Sequence, residues 1–343
     1  MSVPPFLAAC RREPVPYTPV WIMRQAGRYQ PEYRAIREKM SFLELCHAPD
    51  VAAEVTVMAV EQLGVDAAII FADILLILEP MGVGLEFAKG DGPVIHRPVR
   101  SAADVDRLAA VDPAALDYVY AAIRTARRGL PTETPLIGFA GAPFTLASYL
   151  VEGGGSKDHN RTRRFLHADP GAWRALMERL VDALIGYVNA QIDAGAQAIQ
   201  LFDSWIGALA PSDYRIHVLP HMQRLCAALR RDVPLIYFGT GTAGLLEGMR
   251  AAGSDVIGLD WRVDLDAAWA RVGHDVAVQG NLDPVALFAP IPEIRRQAAA
   301  ILGQAAERPG HIFNLGHGVL PETPVDHVRA LVDAVHELSA RKR

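Results

Sequence analysis

Arg24 and Arg28 stand four positions apart in the loop Arg24-Gln25-Ala26-Gly27-Arg28-Tyr29, which interrupts an apolar run with a glycine. Each guanidinium is a rigid fork of N–H donors suited to carboxylate or phosphate, and Gln25 with the loop N–H groups at Ala26 and Gly27 adds further donors. Such a loop is built to hold an acidic ligand; the competing reading is a pair of solvated surface charges. Asp73 is its chemical complement. It is flanked by Ile69, Ile70, Phe71 and Ile74 to Leu78, where a carboxylate is costly to bury without donors. An ionised carboxylate has about four acceptor sites, so several N–H groups can share it; alternatively, Asp73 caps the turn that follows it. His317 lies in Asn314-Leu315-Gly316-His317-Gly318, where glycine on both sides leaves the ring uncrowded. An ordinary imidazole titrates near neutrality and so suits proton transfer.

The periodicity places these residues. Short apolar or β-branched runs at 19–23, 66–71, 134–139, 197–202, 233–238, 255–259, 275–279 and 311–315 read as strands. Amphipathic stretches at 49–63, 114–129, 170–194, 212–231 (kinked at Pro220), 243–252, 264–272, 292–308 and 321–339 read as helices between them. Eight apolar strands alternating with helices predict an α/β chain folded as one (β/α)8 TIM barrel domain over residues 1–343. Two segments are surplus to the repeat. Residues 85–99 predict an inserted β-hairpin turning at Lys89-Gly90-Asp91-Gly92. The Gly-rich loop from Gly153 to Ser156 predicts a mobile hinge, either a solvated loop or a lid.

Active sites of such barrels lie at the C-terminal strand ends. That rule selects Arg24 to Arg28, Asp73, the loop 140–149, Asp203 with Ser204, the loop from Gly239, Asp260 to Arg262, 279–281 and His317.

Composition excludes several classes. A net charge of −5 with interspersed signs leaves no footprint for nucleic acid, apart from the short basic end Arg341-Lys342-Arg343. Cys10, Cys46 and Cys226 are scattered without C-x-x-C, which argues against a disulfide framework and points to the cytoplasm. Charged residues and prolines interrupt the first twenty positions, unlike a signal peptide. The longest apolar run, 67–78, contains Asp73 and falls short of the roughly 20 residues of a membrane span. Gly239-Thr240-Gly241-Thr242-Ala243-Gly244 matches G-x-G-x-x-G, with Asp260 downstream, and supports a nicotinamide-dependent oxidoreductase as an alternative. As the fifth of eight similar units rather than the first of a two-half sheet, it reads better as a tight turn.

The wording of the chain goes further. Met23-Arg24-Gln25-Ala26-Gly27-Arg28-Tyr29 after Pro-Val-Trp, IIFADIL around Asp73, GFAGAPFTLASYLVEGG around Tyr149, QLFDSW around Ser204, VIGLDWRV around Asp260 and FNLGHGVLPETP around His317 together resemble the uroporphyrinogen decarboxylases over nearly the whole length. The resemblance implies loss of four acetate carboxyls from uroporphyrinogen III as CO2, without cofactor or metal, in a homodimer. It implies substrate binding by Arg24, Gln25, Ala26, Gly27, Arg28, Asp73, Tyr149, Ser204 and His317. Asp73 would receive the pyrrole N–H groups, and the proton donor is left open between Arg24 and His317. A non-catalytic tetrapyrrole carrier using the same residues is the other alternative. A related barrel family binds zinc through His-x-Cys and a later Cys; no histidine here has that spacing.

Overall fold

The computed structural model describes residues 3–88 and 92–341. Lys89, Gly90 and Asp91 of the expected turn, and Lys342-Arg343 of the basic end, lie outside these. The core is a parallel seven-stranded sheet in the order β1-β4-β5-β6-β7-β8-β9. Its strands are β1 (Ala68–Ile69), β4 (Leu136–Gly141), β5 (Ala198–Asp203), β6 (Leu235–Gly239), β7 (Val256–Gly258), β8 (Ala277–Gln279) and β9 (His311–Ile312). The remaining pair, β2 (Leu85–Ala88) and β3 (Gly92–Ile95), is antiparallel. Helices such as Pro49–Leu63, Asp117–Gly129 and Pro170–Asp193 alternate with the strands, and the sheet curls as in a TIM barrel.

The eighth expected strand, 19–23, is reduced to one bridge, Val20 to Phe313. Its other edge meets the chain just before β1 through Asp66, whose N–H donates to the Val20 carbonyl at 2.8 Å. The returning bond is made by a side chain: Val20 N–H donates to Asp66 Oδ2 at 2.7 Å. A carboxylate oxygen standing in for a main-chain carbonyl ends the ladder there, which is why the run is not a full strand.

Side chains at alternate strand positions share a face. Ile137, Ala198, Ile236, Phe238, Val256, Ala277 and Ile312 pack with Trp21 and Met23 against Phe6 to Cys10 of the Pro5–Cys10 helix, which plugs the N-terminal end of the sheet. Farther along the same face, Phe139 and Phe202 meet edge to face at 5.5 Å, forming an aromatic floor.

Three expectations need correction. The stretch 140–149 is not a loop: Pro143–Glu152 is a helix, with proline in its first turn and almost every residue buried. Being apolar all round, it lacks the one-sided pattern that marks a surface helix. The helix expected at 212–231 is two, Pro211–His217 and Leu219–Ala228, broken at Val218. Lastly, the glycine hinge is held. Gly153 (φ 88°) ends its helix, Gly154 (φ 155°) bridges Val94, and Ile95 N–H donates to the Gly153 carbonyl at 2.9 Å. A side chain at Gly154 would meet the Pro93 carbonyl at 2.7 Å, so here glycine serves close approach to β3. Among the described residues no helix is long and apolar enough to cross a membrane.

Candidate active site

Arg24 follows the Val20 bridge in a left-handed conformation, φ 61°, which non-glycine residues rarely adopt and which clusters at functional sites. Neither Arg24 nor Arg28, both exposed, has an ion-pair or side-chain hydrogen-bond partner among the described residues. The loop around them is rigid. Gln25, 1% exposed, accepts from Ile22 N–H at 3.1 Å and donates to the Ala67 carbonyl at 3.1 Å. Its amide therefore ties the loop to β1 rather than standing free for a ligand. Gly27 N–H is likewise taken by Gln30 Oε1 at 3.0 Å, and Tyr29 OH donates to the Gln25 carbonyl at 2.7 Å. Of the loop donors named from sequence, the N–H of Ala26 remains without a partner among the described residues.

Asp73 caps the turn that follows it and leaves its second carboxylate oxygen open. Its Oδ1 accepts from Leu75 N–H at 2.8 Å, a turn cap, while Oδ2 has no partner among the described residues. Burial pushes the carboxyl up from 3.8 to about 6, against the Leu75 N–H and the Arg24 guanidinium, which pull it down. That second oxygen is open to solvent, where it can accept from the N–H donors of a ligand.

Arg24 also reaches the other two titrating groups. Tyr149 is half-exposed on the otherwise buried Pro143–Glu152 helix; burial and then Asp73 push its hydroxyl up to about 12, with Arg24 opposing. Burial, Arg24 and Arg262 together hold His317 down at about 4, despite Asp260. The expectation that His317 titrates near neutrality is therefore corrected: its imidazole is neutral at pH 7. Its flanking glycines are also filled by protein. A side chain at Gly316 would meet the Trp261 N–H at 2.4 Å, and one at Gly318 would meet the Arg24 side chain. Ser204 directly follows β5 on the same rim, half-buried, its carbonyl accepting from the Thr240 hydroxyl.

Trp205 and His159 were not singled out from the sequence, whereas Asp203 and Asp260 to Arg262 were selected there by their strand-end positions. Trp205 lies between Tyr149 (5.9 Å between ring centroids) and His159 (4.9 Å), forming a second aromatic wall. Asp203, fully buried, accepts from Thr145 Oγ1 at 2.7 Å and Tyr237 OH at 2.8 Å; burial raises it to about 6. Arg262 lies over the Trp261 ring at 3.9 Å and pairs with Asp260. For Trp205 the available signal was its place beside a strand end; His159 had none.

The glycine-rich loop after β6 has its own partner. Gly241 N–H, which would face a pyrophosphate in a dinucleotide site, donates to Asp260 Oδ2 at 2.7 Å. The acid that would hold a ribose is thus spent on the loop itself, and the nicotinamide alternative is not favoured.

The Uroporphyrinogen decarboxylase (URO-D) family model matches residues 1–338. The chain belongs to the uroporphyrinogen decarboxylase family. It is 58% identical over 342 residues to the uroporphyrinogen decarboxylase of Roseiflexus sp. (strain RS-1), covering 98% of each chain. It is 57% identical over 335 residues to that of Sorangium cellulosum (strain So ce56), covering 97% of this chain and 96% of that one. A solved methyltransferase from Methanosarcina mazei shares the fold at 20% identity, with a TM-score of 0.78 over 97% of both chains.

Proposed function

We propose that this chain removes the four acetate carboxyls of uroporphyrinogen III as CO2, leaving methyl groups and giving coproporphyrinogen III. Family membership supports the reaction. The observation that carries the site is the Asp73 carboxylate, one oxygen capped and the other open, near an Arg24 that has no ion-pair partner among the described residues.

The difficulty of the reaction is that losing CO2 drives an electron pair onto a carbon attached to an electron-rich pyrrole, a poor sink. Protonating the pyrrole at a ring carbon makes it cationic and able to take that pair. After CO2 leaves, the exocyclic carbon takes a proton and the ring carbon returns one, so each cycle consumes one proton overall. Asp73 receives the pyrrole N–H groups on its open oxygen and stabilises the cationic ring, an anion already in place where positive charge develops. Arg24 and Arg28 place substrate carboxylates, and the Ala26 N–H adds a donor. Tyr149, Ser204 and the Phe139, Phe202 and Trp205 rings border the macrocycle. Of the two candidate proton donors, His317 is neutral at pH 7 and serves as a hydrogen-bonding partner for a substrate carboxylate. Arg24 is then the donor that carries a proton at that pH.

The same reading takes residues 1–343 as one barrel domain, closed at Val20, working as a homodimer with no organic cofactor or metal. An anaerobic assay of the purified chain with uroporphyrinogen, resolving products by carboxyl number and counting CO2, tests the activity directly. Binding without CO2 release would make the chain a tetrapyrrole carrier. Activity should persist after exhaustive chelation and dialysis, and recovery of a dialysed, inactive sample on adding zinc or nucleotide would overturn the cofactor-free scheme.

A further inference from the structure

Away from the site, two helices bring three metal-ligating side chains together. His167 lies in the last turn of the Asn160–Ala168 helix. Asp213 and His217 stand four residues apart on the Pro211–His217 helix, and that spacing puts them on one face. His167 Nε2 is 3.5 Å from Asp213 Oδ2, and the two imidazoles meet at 6.0 Å with planes 86° apart. One donor atom from each of the three residues lies within 4.8 Å of the others. Tetrahedral coordination with metal–ligand bonds of about 2.0–2.1 Å separates neighbouring ligand atoms by about 3.3 Å. The Asp213–His167 pair is already close to that, and no gap among the three exceeds 4.8 Å.

The cluster is partly set in place. The His217 carbonyl accepts from the indole N–H of buried Trp173 at 3.0 Å, which fixes the backbone under that ligand.

We propose that His167, Asp213 and His217 form a binding site for one divalent transition-metal ion of the zinc type, which clamps the two helices to each other. Two imidazoles and one carboxylate match the ligand preference of zinc and its neighbours, and not that of calcium or magnesium, which take oxygen ligands. A fourth position stays open to water. The clamp acts next to the candidate active site without entering it. The Asn160–Ala168 helix begins directly after His159, whose ring packs tilted against Trp205, and the Pro211–His217 helix follows the turn that starts at Trp205. The site does not depend on the decarboxylase reading, and the reading does not depend on the site.

The test uses the full chain stripped of metal and titrated with Zn2+ against a chromophoric chelator. Wild type should take up one equivalent that the double variant His167→Gln/His217→Gln lacks, and Asp213→Asn should hold it at least about tenfold more weakly. Zn2+ should raise the melting temperature of wild type and not of the double variant, while Mg2+ should do neither. Far-ultraviolet circular dichroism and the metal-free melting temperature establish that the variants are folded. Equal uptake by wild type and a folded double variant, or no uptake by wild type at millimolar Zn2+, would overturn the site.

Discussion

Asp73→Asn separates charge from shape. It keeps an oxygen to accept pyrrole N–H groups but removes the negative charge that opposes a cationic ring. Because that cation exists only during reaction, the chemical step should fall more than ground-state binding, by on the order of 10²–10³ in kcat. Single-turnover CO2 release measured beside direct ligand binding decides it: turnover at the wild-type rate with weakened binding would reduce Asp73 to a positioning group. The two candidate donors separate in the same way. With its imidazole neutral at pH 7, His317→Gln should lose roughly the tenfold to hundredfold of one charge-assisted contact, and Arg24→Gln considerably more. The reverse order in kcat would return the donor role to His317. Residue types and strand-end positions made Arg24, Asp73 and His317 legible in the sequence. The protonation state of His317 was not, because it depends on burial and on Arg24 and Arg262, groups nearly 300 and more than 50 positions away.

Asp66, at the start of the run leading into β1, joins elements from both ends of the chain. Its carboxylate accepts from Val20 N–H at 2.7 Å and Tyr17 OH at 2.9 Å, and lies 2.8 Å from His336 Nε2 on the Val325–Ser339 helix. Asp66→Ala leaves a main-chain donor and a hydroxyl without their acceptor and should destabilise by about 2–4 kcal/mol, read as a lower urea midpoint with an unchanged slope. It should also slacken the Arg24 loop that Val20 anchors, so ligand affinity falls with stability. Gly154→Ala sets a methyl group against the Pro93 carbonyl at a backbone angle that favours glycine. A loss of about 1–3 kcal/mol is expected, with faster hydrogen exchange confined to Gly153, Gly154 and β3. Strands and amphipathic helices announced themselves by period. The Pro143–Glu152 helix did not, since burial on nearly every side erases the period, and the glycine run read as a hinge because its partner, Val94, is 60 residues away.

At the scale of the whole molecule, an acidic chain keeps a small cationic loop near an anion with one oxygen open, and this arrangement carries a pH signature. Burial raises the Asp73 carboxyl from 3.8 to about 6. A carboxyl raised on folding contributes stability below its unfolded value, and that contribution is lost as pH rises through the folded value. Between about pH 4 and pH 7 the ionised Asp73 therefore costs the folded state an increasing amount. The shift represents roughly 3 kcal/mol at full ionisation, of which the carboxylate's partial access to water leaves on the order of 1–2. Asp73→Asn, which cannot ionise, should match wild type in stability near pH 4 and exceed it by that amount at pH 7.5, in urea titrations at the two pH values. The same titration sets the ligand's pH dependence with the opposite sign. Binding of a pyrrole N–H donor favours the ionised form, so wild-type affinity should weaken as pH drops below about 6, and the Asn variant should lack that dependence. An Asn variant no more stable than wild type at pH 7.5, with the acid limb of binding intact, would mean that Asp73 is already satisfied in the free protein and is not the group the substrate meets.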